Sequence, residues 1–235
     1  MPIDLEVLKQ VLTGYYLRGL ASFDEATRIE GYDRPAVGET MIGMKRINNL
    51  HQCLEGVLKD GIPGDMIETG VWRGGATIFM RAVLKASGDH GKTVWVADSF
   101  DGLPPPAWPQ DDGDIHHLQH DLKVGLEEVQ ANFRKYGLLD SQVKFLKGWF
   151  CDTLPAISAE QKFCLIRLDG DMYQSTMEAM DNLYPKLSTG GYVIIDDYGA
   201  IGQCKMAVDD YRNKNNISEP IIPIDRTGIY WKKTR

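Results

Sequence analysis

The feature that most constrains the fold is a short apolar run that passes through a glutamate and closely spaced glycines into a helical segment. The run Met66–Gly75 contains Glu68 and three glycines, and a helix is predicted over Ala76–Lys85. Glycine lets the backbone approach a ligand closely, and the start of a helix offers free N–H groups. The pattern therefore predicts a cofactor cradle between a strand and a helix.

The chemistry of this turn indicates which cofactor it holds. Its spacing is not that of a dinucleotide site, and it lacks the Gly-Lys-Ser/Thr ending of a phosphate loop. Glu68 would repel a pyrophosphate but suits an ammonium group, such as the amino-acid tail of S-adenosylmethionine. A second apolar run, Thr93–Ala97, ends in Asp98, which can accept both ribose hydroxyls by analogy with dinucleotide folds. The plain alternative is that Glu68 and Asp98 cap helices, but the two together favour S-adenosylmethionine.

Composition and periodicity predict an α/β domain. With 235 residues, of which 43% are hydrophobic, the chain can bury one full core. Near its end, Pro220–Ile224 and Gly228–Trp231 read as an antiparallel hairpin, which is typical of S-adenosylmethionine methyltransferases rather than of dehydrogenases. We expect a Rossmann-like class I methyltransferase fold over residues 61–235, with a mostly parallel seven-stranded sheet and helices on both faces.

The first sixty residues are predicted to be a helical region that covers the cofactor or mediates dimerisation. Leu5–Leu20 has helical spacing, and Ala21–Gly38 reads as an irregular, mobile crossing. Thr40 is the predicted N-cap of a helix whose apolar residues run from Met41 to Val57 at three-to-four spacing. Because this helix precedes the cradle, Thr40 and Met41 are candidate cofactor contacts; the alternative is that the methionines belong to the core.

Charge and cysteine usage narrow the partners. The formal charge of -7 and the pI near 5.3 argue against a nucleic-acid groove or an anionic membrane surface, so a small-molecule partner is expected. The four cysteines are scattered and suggest neither a zinc site nor a disulfide framework. Without a signal-like start or an apolar run of about 18 residues, the protein is expected to be cytoplasmic.

A long polar loop is predicted to face the acceptor. The proline-rich Leu103–Pro109 and the acidic, histidine-containing Gln110–Asp121 follow the second strand, and long loops at strand ends usually contact ligands. His116 and His117 are adjacent rather than four residues apart, so a solvated loop is favoured over a metal site. A helix is predicted over Leu122–Tyr136, ended by Gly137.

The third predicted strand leads to an aromatic pair. Val143–Leu146 is followed by Gly148, Trp149, Phe150 and Asp152. The two rings are predicted to wall the adenine, and the Asp152 carboxylate to accept its exocyclic amine. Burial of Trp149 and Phe150 in the core is the open alternative.

Two later strands each end in a pair of aspartates. Phe163–Leu168 and Tyr192–Ile195 flank a helix predicted over about 175–187, which makes a βαβ unit with parallel strands. Their carboxyl ends therefore lie on one edge, where ligands of open α/β sheets bind. The carboxylates delivered there are Asp169, Asp171, Asp196 and Asp197.

Crowded carboxylates need compensating positive charge, and Mg²⁺ with exchangeable waters provides it. Such a cation lowers the pKa of an acceptor alcohol and orients two neighbouring hydroxyls, while a carboxylate outside its shell can act as general base. Asp171 is the candidate base. The alternatives are that Asp171 caps the following helix and that the aspartates merely cap helices and face solvent.

Together these motifs resemble the macrocin O-methyltransferase family, whose members use S-adenosylmethionine and Mg²⁺ to methylate sugar hydroxyls of macrolide and aminocoumarin antibiotics. The similarity runs from about Met41 to the C terminus, and it is loose in the first forty residues and in Pro104–His120, which face the acceptor. The resemblance rests on Glu68–Gly75, Ala97–Phe100, Gly148–Phe150, Asp169–Asp171 and Asp196–Tyr198.

The resemblance implies that Asp169, Asp196 and Asp197 bind the metal and that Asp171, two residues past Asp169, is the base; Asp169 and Asp171 are the predicted catalytic residues. Together with the apolar N-terminal helices, it also suggests a homodimer. The complete set of predicted cofactor contacts is Thr40, Met41, Glu68, Thr69, Gly70, Trp72, Arg73, Gly74, Asp98, Ser99, Phe100, Gly148, Trp149, Phe150, Asp152 and Asp169.

Other functions stay open at this point. A metal-dependent glycosyltransferase also uses an Asp-x-Asp such as Asp169-Gly170-Asp171, although Glu68 disfavours a nucleotide diphosphate. A non-catalytic S-adenosylmethionine-binding protein is disfavoured by the four intact aspartates. A catechol or another non-sugar diol is the alternative acceptor, because any vicinal diol can chelate the metal.

Overall fold

A computed structural model describes residues 3–235, and a mixed seven-stranded sheet lies at its centre. The strand order is β3-β2-β1-β4-β5-β7-β6, in which β1 to β5 are parallel and β7 is antiparallel to both of its neighbours. The predicted fold class is confirmed, including the C-terminal hairpin. The strands are β1 Asp65–Thr69, β2 Val94–Asp98, β3 Val143–Lys147, β4 Phe163–Leu168, β5 Leu187–Ile195, β6 Ile222–Pro223 and β7 Ile229–Lys232.

Helices cover both faces of the sheet because the strand residues alternate between two apolar layers. Met66 packs into one layer with helices α1, α3, α4 and α5, whereas Ile67 packs into the other with α7 and α8. None of the described helices is long and apolar enough to cross a bilayer. The helices are α1 Leu5–Leu12, α2 Glu25–Glu30, α3 Met44–Lys59, α4 Gly75–Ser87, α5 Leu126–Lys135, α6 Phe150–Thr153, α7 Tyr173–Leu183 and α8 Gly202–Lys214.

The N-terminal region departs from the predicted elements. Helix α1 ends at Leu12, not at Leu20, because Gly14 adopts a left-handed φ of 73° that breaks the helical pattern. The segment predicted to be an irregular crossing contains α2, whose N-cap Asp24 accepts a hydrogen bond from the Thr27 amide at 3.0 Å. Met1 and Pro2 lie outside the described residues.

Thr40 is not the N-cap of α3, and that prediction was wrong. The helix begins four residues later at Met44, with Gly43 as its N-cap, and the Thr40 hydroxyl accepts a hydrogen bond from the Ile42 amide instead. Apolar residues of α1 and α3 share the buried layer of α4. The N-terminal helices are thus packed into the same core, and their role as a lid or dimer surface stays a prediction.

Three other boundaries also differ. Helix α5 begins at Leu126 rather than Leu122, because the chain first makes a 3-10 turn over His120–Leu122 and then extends to the N-cap Gly125. Helix α7 ends at Leu183 and continues as a 3-10 turn that contains Pro185, so β5 starts at Leu187, earlier than predicted.

Close contact between β1 and β4 depends on Gly70. Its φ is 80°, and a Cβ added there would lie 1.7 Å from the carbonyl oxygen of Asp169. Any side chain at this position would force the two strand ends apart. The cradle turn and Asp169, the first of the aspartates predicted to bind metal, are therefore held side by side.

Candidate active site

A cavity of about 530 Å³ opens at the carboxyl edge of the parallel strands. Its wall combines the ends of β1, β2, β4 and β5 with the segment after β3, the loop after β2 and the crossing before α3. The predicted site residues that line it are Met41, Gly70, Trp72, Asp98, Ser99, Trp149, Phe150, Asp169, Asp171, Asp196 and Asp197.

The remaining predicted residues lie behind the cavity wall or away from it. Glu68 is 2% exposed, whereas Asp152 is exposed on α6. Arg73 turns towards the Gly38 carbonyl, to which it donates at 3.2 Å. The full group that does not line the cavity is Thr40, Glu68, Thr69, Arg73, Gly74, Phe100, Gly148 and Asp152.

The first amide of helix α4 is already used. Gly75 N donates to the carbonyl of Glu39 at 2.8 Å, and a Cβ on Gly75 would lie 2.6 Å from the same oxygen. The expectation of free N–H groups at this helix start was therefore wrong for its first residue. The glycine serves the approach of the N-terminal crossing to the cradle.

Asp98 organises the two turns that meet at the cavity. Its carboxylate accepts hydrogen bonds at 2.7 Å from the amide of Val71, after β1, and from the amide of Phe100, after β2. Burial raises its pKa and these amides oppose the rise. The residue both caps the turns and lines the cavity, so the capping role and a ribose-binding role are compatible.

A buried arginine ties β4 to its neighbours. Arg167 stands beside Glu68 in the β1–β4 register, and its guanidinium bonds to Glu68, to Asp169 at 2.8 Å and to Asp196. The second Glu68 oxygen has no hydrogen-bond partner among residues 3–235, and burial raises the pKa of this residue to about 8, against the lowering effect of Arg167. Glu68 therefore lies behind the cavity wall with one carboxylate oxygen that has no hydrogen-bond partner in the described chain.

A second buried arginine comes from the N-terminal region. Arg46, on α3, bonds to Asp196 and lies 3.1 Å from Asp225 in the hairpin turn. It also donates to the Gly31 carbonyl at 2.8 Å, at the end of α2. Arg46 therefore joins the crossing segment, the hairpin and the aspartate cluster.

Three aspartates at the cavity are compensated by arginine only in part or not at all. Oxygens of Asp169, Asp171 and Asp197 lie within 4.8 Å of one another. In the described part of the chain, Asp171 and Asp197 take part in no salt bridge, and the Asp197 Oδ2 atom is buried without a hydrogen-bond partner. The arrangement leaves concentrated negative charge at the cavity.

The pKa values of these groups reflect that charge. Burial first, and then the neighbouring Asp171 and Asp169, raise the pKa of Asp197 well above its usual range. Burial and Asp169 raise the pKa of Asp171 to about 6, although the nearby His116 opposes the shift. A cation bound between the carboxylates would remove the repulsion that causes both shifts.

Backbone strain is concentrated at this edge. Of the four non-glycine residues with positive φ in the described chain, three lie at or beside the cavity: Trp72 at 49°, Phe100 at 55° and Asp171 at 59°. Such conformations are costly and persist where the surroundings impose them, commonly at functional sites. The Asp171 side chain is thus held in a direction that an ordinary turn would not give it.

The long loop after β2 contributes two fixed groups. Asp111 is fully buried and its carboxylate accepts hydrogen bonds from the amides of Tyr173 at 2.7 Å and Gln174 at 2.9 Å, so it caps α7. The helix-capping alternative for Asp171 is therefore contradicted. Asp114 binds both the His116 amide at 2.7 Å and its Nδ1 at 2.8 Å, and His116 lines the cavity.

Sequence reasoning missed several of these residues. Arg167 had a detectable signal, since it is the one charged residue of the strand Phe163–Leu168. Arg46 and Asp111 had none, because their partners lie 150 and 62 residues away in the chain. Among the loop histidines, His116 hydrogen-bonds to Asp114 two residues earlier, and only this local contact could have been predicted from the sequence.

The chain is similar to known O-methyltransferases over almost its whole length. A family model described as macrocin O-methyltransferase matches residues 5–233. An 8-demethyl-8-(2,3-dimethoxy-α-L-rhamnosyl)-tetracenomycin-C 4′-O-methyltransferase from Streptomyces olivaceus is 51% identical over 98% of this chain and 92% of its own. A demethyldecarbamoylnovobiocin O-methyltransferase from Streptomyces niveus is 50% identical over 92% and 83% of the respective chains. The solved structure of the O-methyltransferase NovP shares 47% identity, covers 98% of both chains and superimposes with a TM-score of 0.93.

Proposed function

We propose a reaction for this chain from the premise that it belongs to the macrocin O-methyltransferase family. The protein transfers a methyl group from S-adenosylmethionine to a sugar hydroxyl of a glycosylated natural product, with Mg²⁺ at the aspartate cluster. Family membership makes the chain an O-methyltransferase. The observation that carries the finer proposal is the joint opening of Asp169, Asp171 and Asp197 onto the cavity that Gly70 and Asp98 also line.

The cavity suits S-adenosylmethionine by size and chemistry. Its volume falls within the several hundred cubic ångströms typical of cofactor sites. Asp98 offers carboxylate oxygens for ribose hydroxyls, and the half-buried rings of Trp149 and Phe150 offer an apolar wall for a purine. We place the sulfonium between these residues and the aspartate cluster.

The donor set fits a hard divalent cation. Clustered carboxylates, one with an orphaned buried oxygen, are the ligand type that Mg²⁺ prefers. Our proposed ligands are Asp169, Asp197 and Asp196. Asp196 is bonded by two arginines in this structure, so its part in the set requires exchange of one of those contacts and is tested separately below.

The chain's own residues then account for the proton and the alignment. When bound, Mg²⁺ supplies Lewis acidity that lowers the pKa of the acceptor hydroxyl. Asp171 accepts the hydroxyl proton as the O–C bond forms and the C–S bond of the sulfonium breaks, leaving S-adenosylhomocysteine. A bound cation would reduce the repulsion that contributes to raising the pKa of Asp171 to about 6, so Asp171 would be ionised at neutral pH and able to accept the proton.

The acceptor need not be a free diol. The name of the Streptomyces olivaceus relative describes a rhamnosyl group with methoxy substituents at positions 2 and 3 that is methylated at 4′. The oxygen next to the reacting hydroxyl is then an ether, which still has lone pairs for a cation. We therefore propose an acceptor with two adjacent oxygens, of which at least one is a hydroxyl.

A labelled-methyl assay tests this function. The purified protein is incubated with S-[methyl-³H]adenosylmethionine and a panel of glycosylated natural products, with Mg²⁺ or with EDTA. We expect label in a glycoside only with Mg²⁺, and recovery when Mg²⁺ is restored after chelation. Undiminished transfer in EDTA would contradict the metal, and transfer to catechols alone would contradict the sugar acceptor.

A further inference from the structure

The cavity is also lined by a carboxylate of α7, Glu178, which was not among the predicted site residues. We infer that Glu178 accepts a hydrogen bond from the exocyclic amine of the cofactor's adenine and thereby selects a 6-aminopurine. The inference rests on the proposed use of S-adenosylmethionine. It replaces Asp152, the carboxylate that the sequence pattern suggested for this contact.

Exposure and position separate the two carboxylates. Asp152 is exposed on α6 and does not line the cavity, whereas Glu178 is half-buried and does. Glu178 shares this part of the wall with Trp149, Phe150 and Cys151, the residues at the end of β3 and the start of α6. A purine placed against the two rings would therefore meet Glu178, not Asp152.

Glu178 lies on α7, the helix that follows the turn containing Asp169 and Asp171. The helix starts at Tyr173, just after the aspartate cluster, and Glu178 lies five residues further, about 8 Å along the axis. The turn before the helix packs on the aromatic wall, since a Cβ on Gly170 would lie 3.2 Å from the Phe150 ring. Phe150, Glu178 and the aspartate cluster line one cavity, so a single ligand can contact all three.

The Glu178 carboxylate is fixed and still has room for a donor. Its Oε1 accepts from Gln174 Nε2 at 2.7 Å. Burial raises the pKa of Glu178, and hydrogen bonds from Gln174 and the Cys151 backbone oppose that rise, which keeps an acceptor available. A carboxylate has about four lone-pair sites, so two hydrogen bonds leave capacity for an amine N–H. A 6-oxopurine would instead present an oxygen to it and be repelled.

A double-mutant cycle between the protein and its ligand tests the assignment. S-adenosylhomocysteine and its purine analogue, with hydrogen in place of the amine, are titrated calorimetrically into wild-type protein and into Glu178→Ala, Glu178→Gln and Asp152→Asn. A hydrogen bond to a charged acceptor predicts that the wild type binds the analogue about 10- to 100-fold more weakly. Glu178→Ala should bind both ligands with affinities equal within about 3-fold, and Asp152→Asn should keep the wild-type ratio.

The outcomes are distinguishable. Glu160→Gln, which replaces an exposed carboxylate outside the site, is the matched control for Glu178→Gln. If Glu178→Ala still prefers S-adenosylhomocysteine over the purine analogue as the wild type does, Glu178 does not bind the adenine amine. If Asp152→Asn loses this preference, Asp152 binds the amine instead. Where Glu178→Ala fails to fold, the near-isosteric Glu178→Gln must show a reduced ratio, and an unchanged ratio there overturns the assignment. Failure of the wild type to bind S-adenosylhomocysteine at all would overturn the proposed function, and this inference with it.

Discussion

At the scale of single residues, the site is defined by an excess of partly buried negative charge. Arg167 and Arg46 neutralise part of the cluster, but Asp171 and Asp197 stay without a basic partner in the described chain. Their raised pKa values mean that the charged forms cost stability in the folded state. The proposed cation would relieve that cost.

Without metal, the protein should lose stability as the pH rises. Below the ordinary carboxylate pKa near 4, these groups are neutral both folded and unfolded. Because the folded state raises the pKa of Asp171 to about 6 and that of Asp197 well above its usual range, the unfolded chain loses these protons first as the pH rises, and the folded state loses stability. Asp197→Asn should therefore raise the free energy of unfolding in EDTA by roughly 1–3 kcal/mol at pH 8, with the difference shrinking towards pH 4. Urea titrations across this range provide the measurement.

The effect of Mg²⁺ on the free energy of unfolding tests the same assignment. The cation should stabilise the wild type at pH 8 and leave Asp197→Asn almost unaffected, while Asp112→Asn, on an exposed residue of the long loop, should behave as wild type. Equal stabilisation of Asp197→Asn by Mg²⁺ would remove Asp197 from the ligand set.

Asp171 is expected to act in turnover and not in cofactor binding. Asp171→Asn keeps the shape of the side chain but cannot take a proton, so kcat should fall about 10²- to 10⁴-fold with the affinity for S-adenosylhomocysteine unchanged. The labelled-methyl assay and calorimetry give the two values. Wild-type turnover in this variant would exclude Asp171 as the base.

Asp196 decides between two ligand sets. If Asp196 is a ligand, Asp196→Asn should weaken Mg²⁺ binding at least 10-fold and lower turnover, because one charged donor is lost. Direct titration with Mg²⁺ in the presence of S-adenosylhomocysteine measures this. Unchanged Mg²⁺ affinity would assign the cation to Asp169, Asp171 and Asp197, the three residues whose oxygens are grouped in the structure.

At the scale of elements, apolar continuity made the parallel strands predictable. β4 matches the prediction over Phe163–Leu168, and the strands β1 to β3 were correct within about one residue. β1, β2 and β4 are mostly buried and apolar, as parallel strands usually are, whereas the edge strand β3 is partly exposed and contains two lysines. The N-terminal helices were less predictable from hydrophobic period. Gly14 ends α1 with a left-handed φ, and Gly43 precedes α3 where a Cβ would lie 2.3 Å from the Ile29 carbonyl oxygen. The α7 cap lies on a distant loop, out of reach of any local pattern.

That cap should be measurable as stability. In Asp111→Asn one of the two capping hydrogen bonds to α7 is lost within a fully buried site, so the free energy of unfolding should fall by about 1–2 kcal/mol. Urea denaturation against Asp112→Asn, its exposed neighbour, isolates the cap from the charge. Equal stability of the two variants would mean that the loop does not support the start of α7.

At the scale of the whole molecule, the site exists because strands distant in sequence end at one edge. The topology of β1, β2, β4 and β5 was enough to predict that the aspartates converge there. It could not predict which carboxylates the arginines occupy, because Arg46 arrives from the N-terminal region and bonds across 150 residues. The predicted homodimer stays a prediction that light scattering in solution can test.

The central claim is that this cavity binds an S-adenosylmethionine-type cofactor beside a divalent-cation site. Calorimetric titration with S-adenosylhomocysteine and, separately, with UDP, each with Mg²⁺ and with EDTA, tests it most directly. The account predicts that S-adenosylhomocysteine binds in both buffers and that UDP binds in neither. Binding of UDP alone, and only with Mg²⁺, would contradict the account and indicate a nucleotide-sugar site at Asp169-Gly170-Asp171.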